Sequence, residues 1–171
     1  MGRGDEEFIE FARVSMGGLQ HAAYLLTGDR QLAEDAVQAT LVRTYAAWRR
    51  VRRDDAFAYA RQVLVNYLTD KWRRRLKEYP TEALPEPAAW PDIADEVVLR
   101  QWLTGALATL TLRERTVIVM RFLFDLPEET VARELGVTLG TVKSTSSRAL
   151  AKLRVSAAGE SPLPAFGGDR R

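Results

Sequence analysis

A glycine at position 136 divides the stretch Leu126 to Arg154, LPEETVARELGVTLGTVKSTSSRALAKLR, into two short helical patterns separated by a tight turn. Pro127 suits the first turn of a helix, and Glu128 and Glu129 place negative charge against a helix N-terminus, where the backbone dipole favours it. Val131, Ala132 and Leu135 then fall on one face. Gly136 stands where a helix ends in a left-handed residue, a conformation that costs any side chain with a Cβ. Thr138 can cap the second helix by accepting from an otherwise orphaned amide, and Val142, Ala149, Leu150 and Leu153 continue an apolar stripe. The opposite face carries Lys143, Ser144, Ser147, Arg148 and Lys152, with no acid from Thr138 to Arg154. A small residue at the crossing, a glycine in the turn and a basic outer face are what a helix-turn-helix needs to enter a major groove. The same spacing also fits a helical hairpin of any all-α protein, with its lysine and arginine face simply solvated.

The rest of the chain narrows the chemistry. Without cysteine there are no disulfides, thiolate zinc sites or cysteine nucleophiles, and His21 is the one histidine, so metal sites and histidine bases are poorly supplied. His21 lies in the apolar run LQHAAYLL and reads as a partly buried helix residue. No apolar run approaches the roughly 20 residues that span a bilayer, and MGRGDEEF lacks the basic start and apolar core of a signal peptide, so a cytoplasmic protein without membrane partners is expected. The net charge is +2, but its distribution is lopsided: Arg43 to Lys77 holds eleven Lys or Arg against Asp54, Asp55 and Asp70, whereas Glu78 to Val98 holds six acids and no base. A polyanion-binding segment followed by an acidic linker is the simplest reading.

In chain order, a helix is expected from about Asp5 to Leu26, with Phe8, Phe11, Ala12, Leu19, Ala22, Ala23 and Leu26 apolar and Gly17 and Gly18 weakening its middle. After the turn Thr27, Gly28, Asp29, a second helix runs from about Arg30 to Arg49, with Leu32, Ala36, Leu41, Tyr45 and Trp48 inward and Glu34, Asp35, Gln38 and Arg43 on the other face. Arg49, Arg50, Arg52 and Arg53 precede Asp54 and Asp55, which read as cap and first turn of a third helix to about Leu76. Phe57, Val63, Leu64, Tyr67 and Leu68 form its apolar side, and Arg61, Gln62, Asn66, Lys71 and Arg73 to Arg75, with Tyr59 and Trp72, its polar and aromatic surface. Basic groups that track phosphate beside rings that can stack on bases suit single-stranded nucleic acid; a core ringed by snorkelling arginines fits the same residues.

From Leu76 to Pro91 fall four of the seven prolines, which marks an extended linker with Trp90 as an anchor. Helices resume at about Ile93 to Leu110, with Val97, Val98, Trp102, Leu103, Ala106 and Leu107 apolar, and at about Leu112 to Phe124, where Thr111 and Glu114 form a reciprocal cap and Val117, Ile118, Met120, Phe122 and Leu123 are inward. The expected organisation is all-α: a three-helix domain over 5–77, a flexible acidic Pro-rich linker over 78–92, a helix-turn-helix domain over 93–154 and a disordered tail over 155–171.

This arrangement resembles the small two-domain sigma factors of bacterial RNA polymerase, the extracytoplasmic-function branch of the sigma-70 family. The likeness covers about Phe8 to Arg154. LAEDAVQATLVRTYAAW looks like the helix that docks on the polymerase, AFAYARQVLVNYLTDKWRRR like the promoter-melting helix, and LTLRERTVIVMRFL through Arg154 like the terminal DNA-reading domain; the Trp-rich first domain is similar to an actinobacterial, sigma-E-like subgroup. The resemblance implies partners and roles. Glu34, Asp35, Gln38, Thr40, Leu41 and Arg43 would face the coiled coil of the largest subunit of core RNA polymerase. The loop Arg49 to Ala56, with Arg49, Arg50, Arg52 and Arg53, would accept a base flipped from the non-template strand of the minus-ten element, with Tyr59 and Asn66 beside it and Arg73, Arg74 and Arg75 near phosphate. Lys143, Ser144, Ser147 and Arg148 would read the minus-thirty-five element, and Thr141 and Lys152 would meet phosphate. Family members often carry a bulky or basic residue where Thr145 and Ser147 stand, which makes this recognition surface small. The linker Glu78 to Asp95 would thread toward the polymerase cleft, its acids imitating nucleic acid. Many members are held inactive by an anti-sigma factor.

The resemblance implies a non-catalytic specificity subunit that uses no metal or cofactor and binds promoter DNA both as duplex and as single strand. The competing reading is a free-standing helix-turn-helix regulator that binds duplex operators as a symmetric dimer, which would not need the basic, aromatic third helix. An enzyme is least supported, because the carboxylates cluster in helix first turns and in the linker, where capping and solvation explain them.

Overall fold

The computed structural model describes residues 3–78 and 102–159; every regular element among them is helical, and they belong to two units, Met1–Glu86 and Pro87–Arg171. In the first unit, helix α1 (Arg3–Thr27) runs unbroken through Gly17 and Gly18. Two mid-helix glycines cost roughly 1 kcal/mol each, and the complete burial of Leu19, Ala22 and Ala23, with Leu26 almost as deep, outweighs them. The ring of Phe57 fills the space beside Gly18. Gly28, at φ +67°, ends α1 with its N–H on the Tyr24 carbonyl at 2.7 Å, and Asp29 immediately caps the next helix by accepting from the Leu32 N–H at 2.9 Å. So short a connection turns the chain back, and α2 (Arg30–Ala47) packs along α1.

The inward stripe of α2 differs from the expected one. Ala33, Ala36, Val37, Thr40 and Thr44 are buried, whereas Tyr45 is half exposed and Leu41 and Trp48 only partly covered. The physical reason is close approach: small side chains, with the Thr40 and Thr44 hydroxyls satisfied by the carbonyls four residues back at 2.7 and 2.8 Å, let the backbones near one another. A single 3₁₀ turn, Arg53–Asp55, leads into α3 (Ala56–Glu78). Its inward side is Ala56, Ala60, Leu64, Val65, Leu68 and Trp72, with Arg61 also buried. Trp72 and Arg61 therefore belong to the interior rather than the outer surface, while Phe57 is partly exposed.

In the second unit, a helix at 102–108 (α4) closes with Thr109 and Leu110 bonding back to Ala106 and Leu107 at 3.2 and 3.1 Å. The reciprocal cap is present: the Thr111 hydroxyl accepts the Glu114 N–H at 3.3 Å, and the Glu114 carboxylate accepts the Thr111 N–H at 2.9 Å. Helix α5 (Leu112–Ile118) then widens into a π turn, Val119–Leu123, where the Phe124 N–H reaches the Val119 carbonyl at 3.2 Å. The extra residue rotates the chain, so Met120 stays buried but Phe122 and Leu123, expected inward, face outward.

Helix α6 (Glu128–Leu135) starts after Pro127 and buries Val131 and Ala132. Gly136 sits at φ +65°, ψ +36°, and the Val137 N–H closes the turn on Ala132 at 3.0 Å. No heavy atom lies within 4 Å of where a Cβ on Gly136 would be. Gly136→Ala is thus expected to destabilise the second unit by about 1–2 kcal/mol through backbone conformation alone, measured by urea unfolding; an unchanged midpoint would mean that the turn relaxes to another geometry. Thr138 caps α7 (Leu139–Gly159) by accepting the Thr141 N–H at 3.1 Å. Helix α7 continues five residues past Arg154, into the stretch expected to be a disordered tail. Apart from Glu78, which ends α3, the expected linker over 78–92, its anchor Trp90 and the start of the helix near Ile93 lie outside the described residues, as do the last twelve residues.

Candidate nucleic-acid interface

Along α7 the inward stripe is Val142, Thr145, Ser146 and Ala149, which leaves Lys143, Ser144, Ser147 and Arg148 exposed together on the other side. At 100° per residue, Lys143, Ser147 and Arg154 line up on that face, and Ser144 and Arg148 flank them. Arg154, exposed as well, is a candidate that sequence reasoning misses, although its spacing from Ser147 is two full turns. Thr145 is almost completely buried and belongs to the interior, so it has no part in the size of the reading surface. The Thr141 side chain is half buried in the first turn, its hydroxyl 2.9 Å from that of Thr138, while the Ser144 hydroxyl donates to the Thr141 carbonyl at 3.1 Å and keeps its lone pairs for an incoming donor. The helix N-terminus beside Thr141 favours an anion. With no acid on this face, an approaching duplex meets positive charge and hydroxyls.

Lys152 is placed differently. Its ammonium lies 2.8 Å from Glu114 Oε2, on the same oxygen that accepts from the Thr111 N–H and, at 3.1 Å, from the Thr111 hydroxyl. Burial pushes the Glu114 carboxyl up, but the hydrogen bonds from Lys152 and Thr111 outweigh it and hold the group below its ordinary value.

In the first unit, Trp48 packs edge-on against Phe8 with ring centroids 5.2 Å apart and against Phe11 at 5.1 Å, which anchors the chain just before the arginines. Arg50 and Val51 then bond back to Ala47 at 2.8 and 3.2 Å, and Asp55 to Arg52 at 3.0 Å. This ties down the loop backbone and leaves the side chains of Arg49, Arg50 and Arg52 exposed. On α3, Tyr59, Asn66 and Arg73 are seven residues apart in succession, exposed, and on one stripe opposite the buried one. Arg74 is exposed beside them, and Arg73 makes only a loose surface pair with Asp70 at 3.6 Å. The side chains of Arg53 and Arg75 lie outside the described residues.

On α2 the outer face gathers Glu34, Asp35 and Gln38, exposed, with Leu41 half covered. Glu34 pairs with Arg30 at 2.8 Å and Asp35 accepts from Gln31 at 3.1 Å, local surface contacts that a partner could replace cheaply. Thr40 does not share this face: it is fully buried, its hydroxyl bonded to Ala36, so it cannot touch a partner. Arg43 turns toward α3, its guanidinium 5.1 Å from the centre of the Tyr67 ring. Two apolar residues that sequence reasoning leaves off the outer face join it instead, Val42 at 63% and Tyr45 at 50% exposure, the latter donating to Asp5 at 2.8 Å. The inward expectation for Tyr45 follows from the usual burial of aromatic residues; its place about 100° around the helix from Thr44 and about 140° from Thr40 turns it away from the buried stripe.

None of the described helices is long and apolar enough to cross a membrane. Residues 16–78 match the family description sigma-70 region 2, and residues 100–153 match sigma-70, region 4. The chain is 39% identical over 150 residues to the RNA polymerase sigma-E factor of Streptomyces coelicolor, an alignment that covers 86% of this chain and 84% of that protein. It is 40% identical to the protein of the same name from Streptomyces avermitilis, over 86% and 83% of the two chains. To the ECF RNA polymerase sigma factor SigL of Mycobacterium tuberculosis it is 31% identical, over 80% and 84%. Its fold is shared with the sigma factor RpoE of Bartonella quintana, solved in complex with the anti-sigma factor NepR, at a TM-score of 0.74 and 23% identity over 90% of this chain and 98% of that one.

Proposed function

The chain belongs to the sigma-70 family, in its extracytoplasmic-function branch, and from that premise we propose that it is a non-catalytic cytoplasmic subunit with two DNA-facing surfaces and one polymerase-facing surface. It binds core RNA polymerase, recognises promoter DNA and promotes opening of the duplex. The outer face of α2, with Glu34, Asp35, Gln38, Leu41, Val42 and Tyr45, meets the polymerase. The arginine loop and the Tyr59, Asn66, Arg73 stripe take the separated strand of the minus-ten element, where ring and amide receive an extruded base and the cations track phosphate. The acid-free face of α7 reads the upstream element in the major groove, and Thr141 at its N-terminus meets phosphate. RNA synthesis itself belongs to the polymerase.

The observation that carries this reading is the second basic surface: exposed Arg49, Arg50 and Arg52 in a unit separate from the helix-turn-helix, which also exposes Tyr59 and Asn66. A free-standing operator-binding regulator has no use for it. Run-off transcription on genomic promoter fragments, with purified core polymerase and this protein alone and together, tests the proposal. Defined transcripts are expected only when both are present; their absence with an active core, while the protein alone shifts a specific duplex, would favour the regulator.

Arg148→Ala is expected to relax discrimination at one position of the upstream element by roughly 1–3 kcal/mol, read from the relative use of promoters mutated at each base. An unchanged profile would put the reading face elsewhere on α7.

A further inference from the structure

We propose that Lys152 is a positioning residue: held on the buried Glu114 carboxylate, it fixes the angle of α7 on α5 and does not contact DNA. The inference rests on the reading of α7 as the recognition helix. The side chain of Glu114 is only 8% exposed, yet it carries a charge at the first turn of α5. A carboxylate so covered is stable only if donors and a cation compensate its lost hydration. Thr111 supplies two donors through its N–H and hydroxyl, and Lys152 supplies the positive charge at 2.8 Å. A lysine that left this site to reach phosphate would strand the carboxylate.

The direction of the side chain agrees. Lys152 stands seven residues after the buried Thr145 and four after the exposed Arg148, so it leaves α7 at the border of the packed and open sides; its side chain, 44% exposed, turns its ammonium onto Glu114. The DNA-facing line of Lys143, Ser147 and Arg154 runs along another side. Glu114 and Lys152 are 38 residues apart in sequence, so the pair ties the start of α5 to the second half of α7. Lys143 to Arg148 lie four to nine residues before this tie, roughly 6–14 Å along the axis, so a small rotation about it moves the reading side chains by enough to misplace bidentate contacts.

The test uses holoenzyme reconstituted with the full chain, at low temperature where the variants remain folded, and measures affinity for an upstream-element duplex and for a scrambled duplex over a range of salt. Lys152→Met is expected to reduce the specific-to-nonspecific ratio about tenfold with the salt dependence unchanged, and Lys152→Arg to restore the ratio. Glu114→Gln is expected to lower it similarly, with the double variant no worse than the worse single one. A salt slope shallower by about 0.9 would make Lys152 a phosphate ligand and overturn the proposal, as would failure of the arginine variant to rescue or additive effects of the two substitutions. If wild-type holoenzyme prefers no duplex, the recognition reading fails by itself. The pair is then judged by thermal unfolding of the free chain, where non-additive shifts support the tie and additive ones overturn it.

Discussion

Trp72→Ala is expected to lower the stability of the first unit by about 3–5 kcal/mol, the range for removing a large aromatic side chain from a packed interior. Trp72 is 7% exposed and lines a small cavity with Thr27, Leu32, Leu68 and Lys71, so its indole joins α3 to the α1–α2 turn. Tyr59→Ala, on the opposite stripe, is expected to stay within about 0.5 kcal/mol while impairing promoter opening. Urea unfolding followed by circular dichroism separates the two. If Tyr59→Ala destabilised the chain as much as Trp72→Ala, α3 would pack in a different register and the proposed strand-binding stripe would be part of the interior.

Joint replacement of Arg49, Arg50 and Arg52 by alanine is expected to reduce open-complex formation about a hundredfold near 0.1 M salt, taking about 0.7 in log–log salt slope for each single-strand phosphate that is no longer neutralised. Association with core polymerase should not change, because the proposed docking face of α2 is a different set of residues. The gap between variant and wild type should narrow as salt rises, since the wild type alone loses the benefit of counterion release. Permanganate reactivity of unpaired thymines, measured over a salt series, reads this directly. A gap independent of salt would mean that the arginines act through something other than phosphate.

Features governed by local rules are legible in the residues. The Thr111 and Glu114 cap, the left-handed Gly136, the Thr138 cap and the exposed Lys143, Ser144, Ser147 and Arg148 all stand as expected, because each depends on a few neighbouring positions. Sequence and structure part where tertiary packing chooses between faces of similar composition. On α2 the hydrophobic rule favours Tyr45 and Trp48 as inward, but a close crossing with α1 selects alanines and back-bonded threonines. On α3 the basic run Arg73 to Arg75 draws Trp72 into a surface reading, whereas its place four residues after Leu68 carries it inward. The π turn after Ile118 shifts the helical phase by one residue, which no periodic pattern reveals, and so Phe122 and Leu123 are exposed. The pairing of Lys152 with Glu114 is likewise hidden from spacing, because Glu114 is 38 residues away and already has a local role as a cap.

The inner stripe of α2 bears on how such a chain diversifies. With nothing bulkier than Val37 among its buried residues, this helix sits where even one added methylene forces its neighbours apart. Its outer positions meet no such constraint, apart from Tyr45, whose hydroxyl holds Asp5 and whose ring lies 4.9 Å from that of Phe8. Drift should therefore run at two speeds along the same eighteen residues: nearly frozen on the side that sets the spacing, and faster on the side proposed to meet the polymerase.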